Sequence, residues 1–155
     1  MPESFPPQND KTRICVEGFK VSHNTGKAQQ VAALIQKTYP DQYDTWFLFQ
    51  WKAHYEFHEH FNKEWFKFAE DHRLFSHKSS PLTWLEYGHQ VDGSSEIRDG
   101  VWGVPLGGRD DLCEWAHRTF PDDSPEHSAI RALATEPAMS DSWVDETPGS
   151  SQRQQ

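Results

Sequence analysis

The chain has 155 residues, with 24 acidic against 15 basic side chains and a formal net charge of −9. That length fits one domain and a tail, and the acidic balance argues against nucleic acid or an anionic membrane surface as a partner, since either calls for a basic patch. Seven Trp and ten Phe supply the bulk for a packed core, while no apolar run is long enough to span a bilayer. The opening MPESFPPQND has neither the basic n-region nor the apolar h-region of a secretory signal. Two cysteines, Cys15 and Cys113, stand far apart and form no C-x-x-C. They read as reduced, buried thiols of a protein in the cytoplasm or another reducing compartment.

Residues 1–12 are polar and Pro-rich and read as a flexible lead-in. RICVEGFKV is the first strand, rich in β-branched and aromatic residues. SHNTG reads as a turn, and from Lys27 to Lys37 the apolar Ala28, Val31, Ala32 and Ile35 recur at helical spacing. Thr25 or Asn24 is the expected cap of that helix and Pro40 its stop. YDTWFLFQ is a nearly continuous apolar run, which predicts a central strand buried on both faces. The stretch from Lys52 to Glu70 reads as a helix whose Phe57, Phe61, Trp65 and Phe68 form one stripe. PLTWLEY predicts a third strand, and GHQVDGSSEIRDG is rich in turn signals, with two Asp-Gly pairs that favour tight turns or hairpins. VWGVPL reads as a short last strand, and GGRDDLCEWAHRTF as a helix with Leu112, Trp115, Ala116 and Thr119 on one side. Beyond Pro121 the composition shifts: one short helix around Ala129 to Leu133 is expected, then a disordered acidic tail. Strands alternating with crossover helices imply an α/β sheet with a partly parallel centre.

A loop that runs from a strand into a helix start often carries chemistry, because the helix offers free N–H groups and a positive dipole end. SHNTGKA fails as a phosphate loop. Ala28 follows Gly26-Lys27 where a Walker A loop needs Ser or Thr, and Val21 stands where its first Gly belongs. A dinucleotide fingerprint fails as well, since no G-x-G-x-x-G follows the strand.

SSPLTWLEY followed by LGGRDDL resembles the glutaredoxin pairing of a [T/S]-x-P strand with a G-G-x-D-D helix start. SHNTGKAQQVAAL is similar in position to that family's reactive loop and first helix. The resemblance spans about residues 13–120 and implies a thioredoxin-like fold of glutaredoxin type, a central mixed sheet flanked by helices. Residues 121–155 then form an extension, mostly disordered. The family's C-x-x-C falls on Thr25-Gly26-Lys27-Ala28, where both cysteines are absent. Thiol–disulfide exchange needs a thiolate as nucleophile, and a Thr hydroxyl is not acidic enough to replace it. No catalytic residue is therefore assigned. The glutathione site that the resemblance implies would comprise Ser80, with Pro81 in the cis form, and Arg109-Asp110 at a helix start, together with Thr25 and Lys27. Lys20 is a second candidate for a cation there.

Two further features stand outside that resemblance. His54 and His58 share a helix face near Glu59 and His60, but Asn62 stands where H-E-x-x-H needs its second His, so the set reads as flanking the aromatic stripe rather than holding a metal. Tyr55 and Phe66 exceed that stripe. Either helix 52–70 presents aromatic surface to a partner, or the Gly88–Gly100 segment covers it. Trp143-Val144 in the tail is a second docking candidate.

The expected function is a non-catalytic glutaredoxin-like binding or assembly module. It would meet a protein partner through helix 52–70 or the tail, with no resident cofactor and no membrane insertion. The alternative is an enzyme or sensor that binds glutathione through the hydroxyl of Thr25 or Ser22.

Overall fold

The computed structural model describes residues 10–19, 22–50, 81–98 and 100–136. In chain order these form β1 (Thr12–Phe19), α1 (His23–Thr38), β2 (Tyr43–Gln50), β3 (Leu82–Tyr87), β4 (Ser95–Arg98), β5 (Val101–Gly107), α2 (Arg109–Thr119) and α3 (Pro125–Thr135). The fold is α/β: one five-stranded mixed open sheet in the order β2-β1-β3-β5-β4, with three helices among the described residues. The expected helix 52–70, with its histidines and aromatic stripe, lies outside the described residues, as do Lys20, Ser80 and residues 137–155.

β1 and β2 run parallel, joined by α1, with Thr12 opposite Tyr43 and Phe19 opposite Gln50. β3 pairs antiparallel with β1, β5 with β3, and β4 with β5. Among the described residues YDTWFLFQ is therefore an edge strand rather than a central one, pairing with β1 alone. The apolar run reports two buried faces and says nothing about two paired edges. Trp46 and Leu48 are buried on one face, Phe47 and Phe49 on the other. The two Asp-Gly pairs do turn the chain: Gly93 and Gly100 adopt φ of 79° and 76°, a left-handed conformation that glycine enters without penalty.

The sheet separates two cores. On one face Ile14, Val16, Phe47, Phe49, Leu85 and Leu106 meet Val31, Ala32 and Ile35 of α1, Leu112 and Ala116 of α2, and Ile130 and Ala134 of α3. On the opposite face Cys15, Trp46, Leu48, Leu82, Trp84, Ile97 and Val101 form a second cluster, with the Trp46 and Trp84 rings 6.1 Å apart. α3 is longer than the sequence implied. Ser124 caps it by accepting from the His127 N–H, Pro125 fits its first turn, and Ile130 is fully buried against the core. On α2 the inward side is Leu112, Cys113 and Ala116, whereas Thr119 is exposed.

Candidate functional site

Chain direction brings one set of termini to a single end of the sheet. β1 ends there and leads into α1. β3 is antiparallel to β1 and so begins there. β5 is antiparallel to β3, ends there and leads into α2. Two helix starts and the Pro81 strand entry thus converge.

The first helix begins earlier than the turn-like residues suggested. Ser22 is the N-cap: its hydroxyl accepts from the Thr25 N–H at 3.3 Å, and its carbonyl accepts from the Gly26 N–H at 3.0 Å. SHNTG is therefore mostly the first helical turn, and Thr25 sits inside it rather than capping it. A Ser three residues before the buried face satisfies an orphan N–H without leaving the extended region, which is where its φ and ψ lie. Thr25 has no exposed surface, and Lys27 is 1% exposed. The Lys27 ammonium donates to the Leu133 carbonyl and to Glu136 Oε1, each at 3.4 Å. Lys27 is thereby committed to the last turn of α3, whose unpaired carbonyls favour a cation.

Pro81 is buried at the entry to β3. Two residues on, the Thr83 hydroxyl donates to the Gly107 carbonyl at 3.0 Å, tying the Pro-led strand to the glycine pair. Gly107 adopts φ of 130°, so the turn into α2 requires glycine there. The Gly108 N–H then donates to the Asp111 carboxylate at 2.9 Å, which leaves Asp111 as the anchor of the helix start. Arg109 pairs with its neighbour Asp110, Nε to Oδ1 at 3.0 Å, and Asp110 is almost fully exposed.

Cys113 lies one turn into α2. Burial pushes its thiol up; Arg109 and Lys27 pull it down and Asp110 pushes it up again, so both cations act on the same sulfur. With Asp110, Glu114, His117, Arg118 and Ala134 it lines an open cavity of about 400 Å³ between α2 and α3. Cys15 is fully buried in β1, its thiol 3.9 Å from the Arg13 carbonyl. Both cysteines are free. Among the described residues no group of three or more His, Cys, Asp and Glu could hold a metal ion.

Of the predicted site residues, Lys27 and Arg109 both favour the thiolate of Cys113 electrostatically, and Asp110 pairs with Arg109. Thr25 and Pro81 are buried at the same end of the sheet, and Ser80 lies outside the described residues. Sequence reading missed Thr83, Ser22 as cap, and the coupling of Lys27 to α3. It also missed an ionic cluster at the opposite end: Arg13 contacts Asp44 and Glu86, each at 3.5 Å, and Glu86 accepts from the Trp84 indole at 2.9 Å. The only available signal was the alternation of Arg13, Cys15 and Glu17 on β1, which on its own suggests a solvated face; all three are buried. Near that end Tyr43 packs edge-on to Trp115 and beside Phe120, and burial, then Tyr87 and Tyr39, push its hydroxyl up to about 12.

No helix among the described residues is long and apolar enough to cross a membrane. The chain matches no protein-family model and, at a significant level, no characterised protein sequence.

Proposed function

We propose that the chain is a thioredoxin-like domain of glutaredoxin type acting as a non-catalytic binding or assembly module, without thiol–disulfide exchange. One observation carries the reading: the helix-start position that the resemblance gives to a nucleophile holds a fully buried Thr25. Exchange needs an accessible thiolate. The chain's own thiols are a fully buried Cys15 and a Cys113 whose burial disfavours the thiolate. The parallel β1-β2 pair, the antiparallel Pro81 strand and the glycine turn into α2 agree with such a scaffold.

The binding surface on this reading is the end of the sheet bounded by Thr25, Lys27, Ser80, Pro81, Arg109 and Asp110, with a protein partner engaged through residues 52–70 or the tail. The compartment is a reducing one. Reduction of a glutathione mixed disulfide at rates typical of an oxidoreductase would refute the reading; none above the uncatalysed background is expected.

Calorimetry with millimolar glutathione separates the alternative, in which a hydroxyl of Thr25 or Ser22 holds the tripeptide sulfur. Two features weigh against it: Thr25 is buried, and the Ser22 hydroxyl already accepts from the Thr25 N–H.

A further inference from the structure

The buried apolar side chains of α1, α2 and α3 all belong to the first core cluster. The second cluster, on the other face of the sheet, draws on strands alone among the described residues, with Cys15, Trp46, Leu48 and Trp84 among its members. Those side chains are buried within a single chain, and burial of a residue such as Leu48 contributes about 1.5–3 kcal/mol. Chain direction points to what lies over them. β2 is parallel to β1 and ends where β1 ends, while β3 is antiparallel and begins there. Residues 51–80 therefore leave and return at the same end of the sheet, on either side of β1. At helical rise residues 52–70 span ~28 Å, and an eight-residue strand such as β1 spans ~26 Å. Charge agrees. The face carries Arg13 against the carboxylates of Glu17, Asp44 and Glu86, an acidic excess, and residues 51–80 hold five of the chain's 15 basic side chains and five of its nine histidines. The tail is a poorer fit: it is acidic and follows α3, which packs on the first face. The Gly88–Gly100 segment is spent on β4, in the plane of the sheet.

We propose that the second face of the sheet is the seat of the chain's own residues 52–70, with the Phe57, Phe61, Trp65 and Phe68 stripe set against Trp46, Leu48 and Trp84. The stripe is then part of the domain's core and not a surface for a protein partner. Tyr55 and Phe66, which exceed the stripe, are the aromatic residues of that segment left for one. This consequence rests on the module reading; the seating itself does not.

The test uses the full chain with Cys113→Ser, so that Cys15 on the second face is its one thiol. Phe61→Ala in this background should lower the melting temperature by about 10 °C and speed labelling of Cys15 in the folded state at least about tenfold. Phe66→Ala should shift the melt by no more than about 2 °C and leave the labelling rate unchanged. Should Phe61→Ala fail to fold, Phe61→Leu gives the same ordering at smaller size. Equal effects of the two substitutions, or none from Phe61→Ala, overturn the seating. So does a parent that sediments as a dimer and turns monomeric with Phe61→Ala, which would place a second copy on the face. Faster Cys15 labelling on deletion of residues 137–155 would place the tail there and overturn it as well. None of those results touches the module reading, which falls only to measured exchange activity.

Discussion

Arg13 and Glu86 face each other as register partners across β1 and β3, their charged groups 3.5 Å apart, at 2% and 1% exposure. Asp44 on β2 takes the other side of the guanidinium, and Trp84 donates to the second oxygen of Glu86. Removing Arg13 takes away the cation that Glu86 and Asp44 share and leaves the Glu86 carboxylate buried without its ion-pair partner at Arg13. Arg13→Met should cost about 3–5 kcal/mol, read as a fall in the urea midpoint. The double variant Arg13→Met/Glu86→Gln should recover part of that loss, because the amide oxygen still accepts from Trp84 and no net charge remains buried.

Gly103 faces Ile97 across the β4-β5 pair, and an added Cβ would meet Ile97 Cδ1 at 2.8 Å and Cγ2 at 3.2 Å. Ile97 is itself 1% exposed, so its room to move is small. Gly103→Ala should therefore destabilise by about 1–3 kcal/mol through overpacking, despite restoring a side chain to a strand. Ile97→Val in the same background should recover part of the loss, since it removes the nearer methyl.

A cysteine introduced at a buried helix start does not by itself bring thiol chemistry. In Thr25→Cys the new thiol would stand at a helix start, which favours the thiolate, but the position has no exposed surface. The folded variant should react with a water-soluble thiol reagent more than about tenfold more slowly than the same chain in denaturant. Rapid labelling of the folded variant would show that the site is open.

The native thiols should behave differently from each other. Cys113 borders the cavity between α2 and α3, whereas Cys15 is sealed within β1. Timed labelling near pH 8 should modify Cys113 first and slowly, since burial favours its protonated form, and Cys15 only on unfolding.

Tyr43 and Tyr87 make the fold sensitive to alkali. Burial raises both hydroxyls above the ordinary value of 10.0, Tyr43 to about 12. The folded state holds these protons more tightly than the unfolded chain. Their contribution is thus fully present below pH 10 and lost as pH rises from about 10 towards about 12. Melting temperature should fall through that window, and Tyr43→Phe should flatten the fall.

Much of the fold was legible because period and punctuation are local. β-Branched and aromatic content marked β1, PLTWLEY read as β3, helical spacing marked α1 and α2, and Asp92-Gly93 and Asp99-Gly100 marked turns where Gly93 and Gly100 take positive φ. The start of α1 was misread, since Asn, Thr and Gly favour turns locally, yet Ser22 can cap a helix that carries them in its first turn. β2 stands at the sheet edge among the described residues rather than at its centre, because side chains record burial of faces, while pairing is a matter of backbone edges.

By itself the sequence determined that no thiol stands at the start of the first helix, that the chain is acidic, and that its elements alternate as an α/β fold; these follow from residue identity and local period. Tertiary structure decided which charges would be buried. Arg13 and Glu86 are 73 residues apart and Lys27 and Glu136 are 109 apart, and only the sheet register and the packing of α3 bring them within ion-pair distance. A buried charge is stable only when a partner arrives from elsewhere in the chain, and that arrival is a property of the fold.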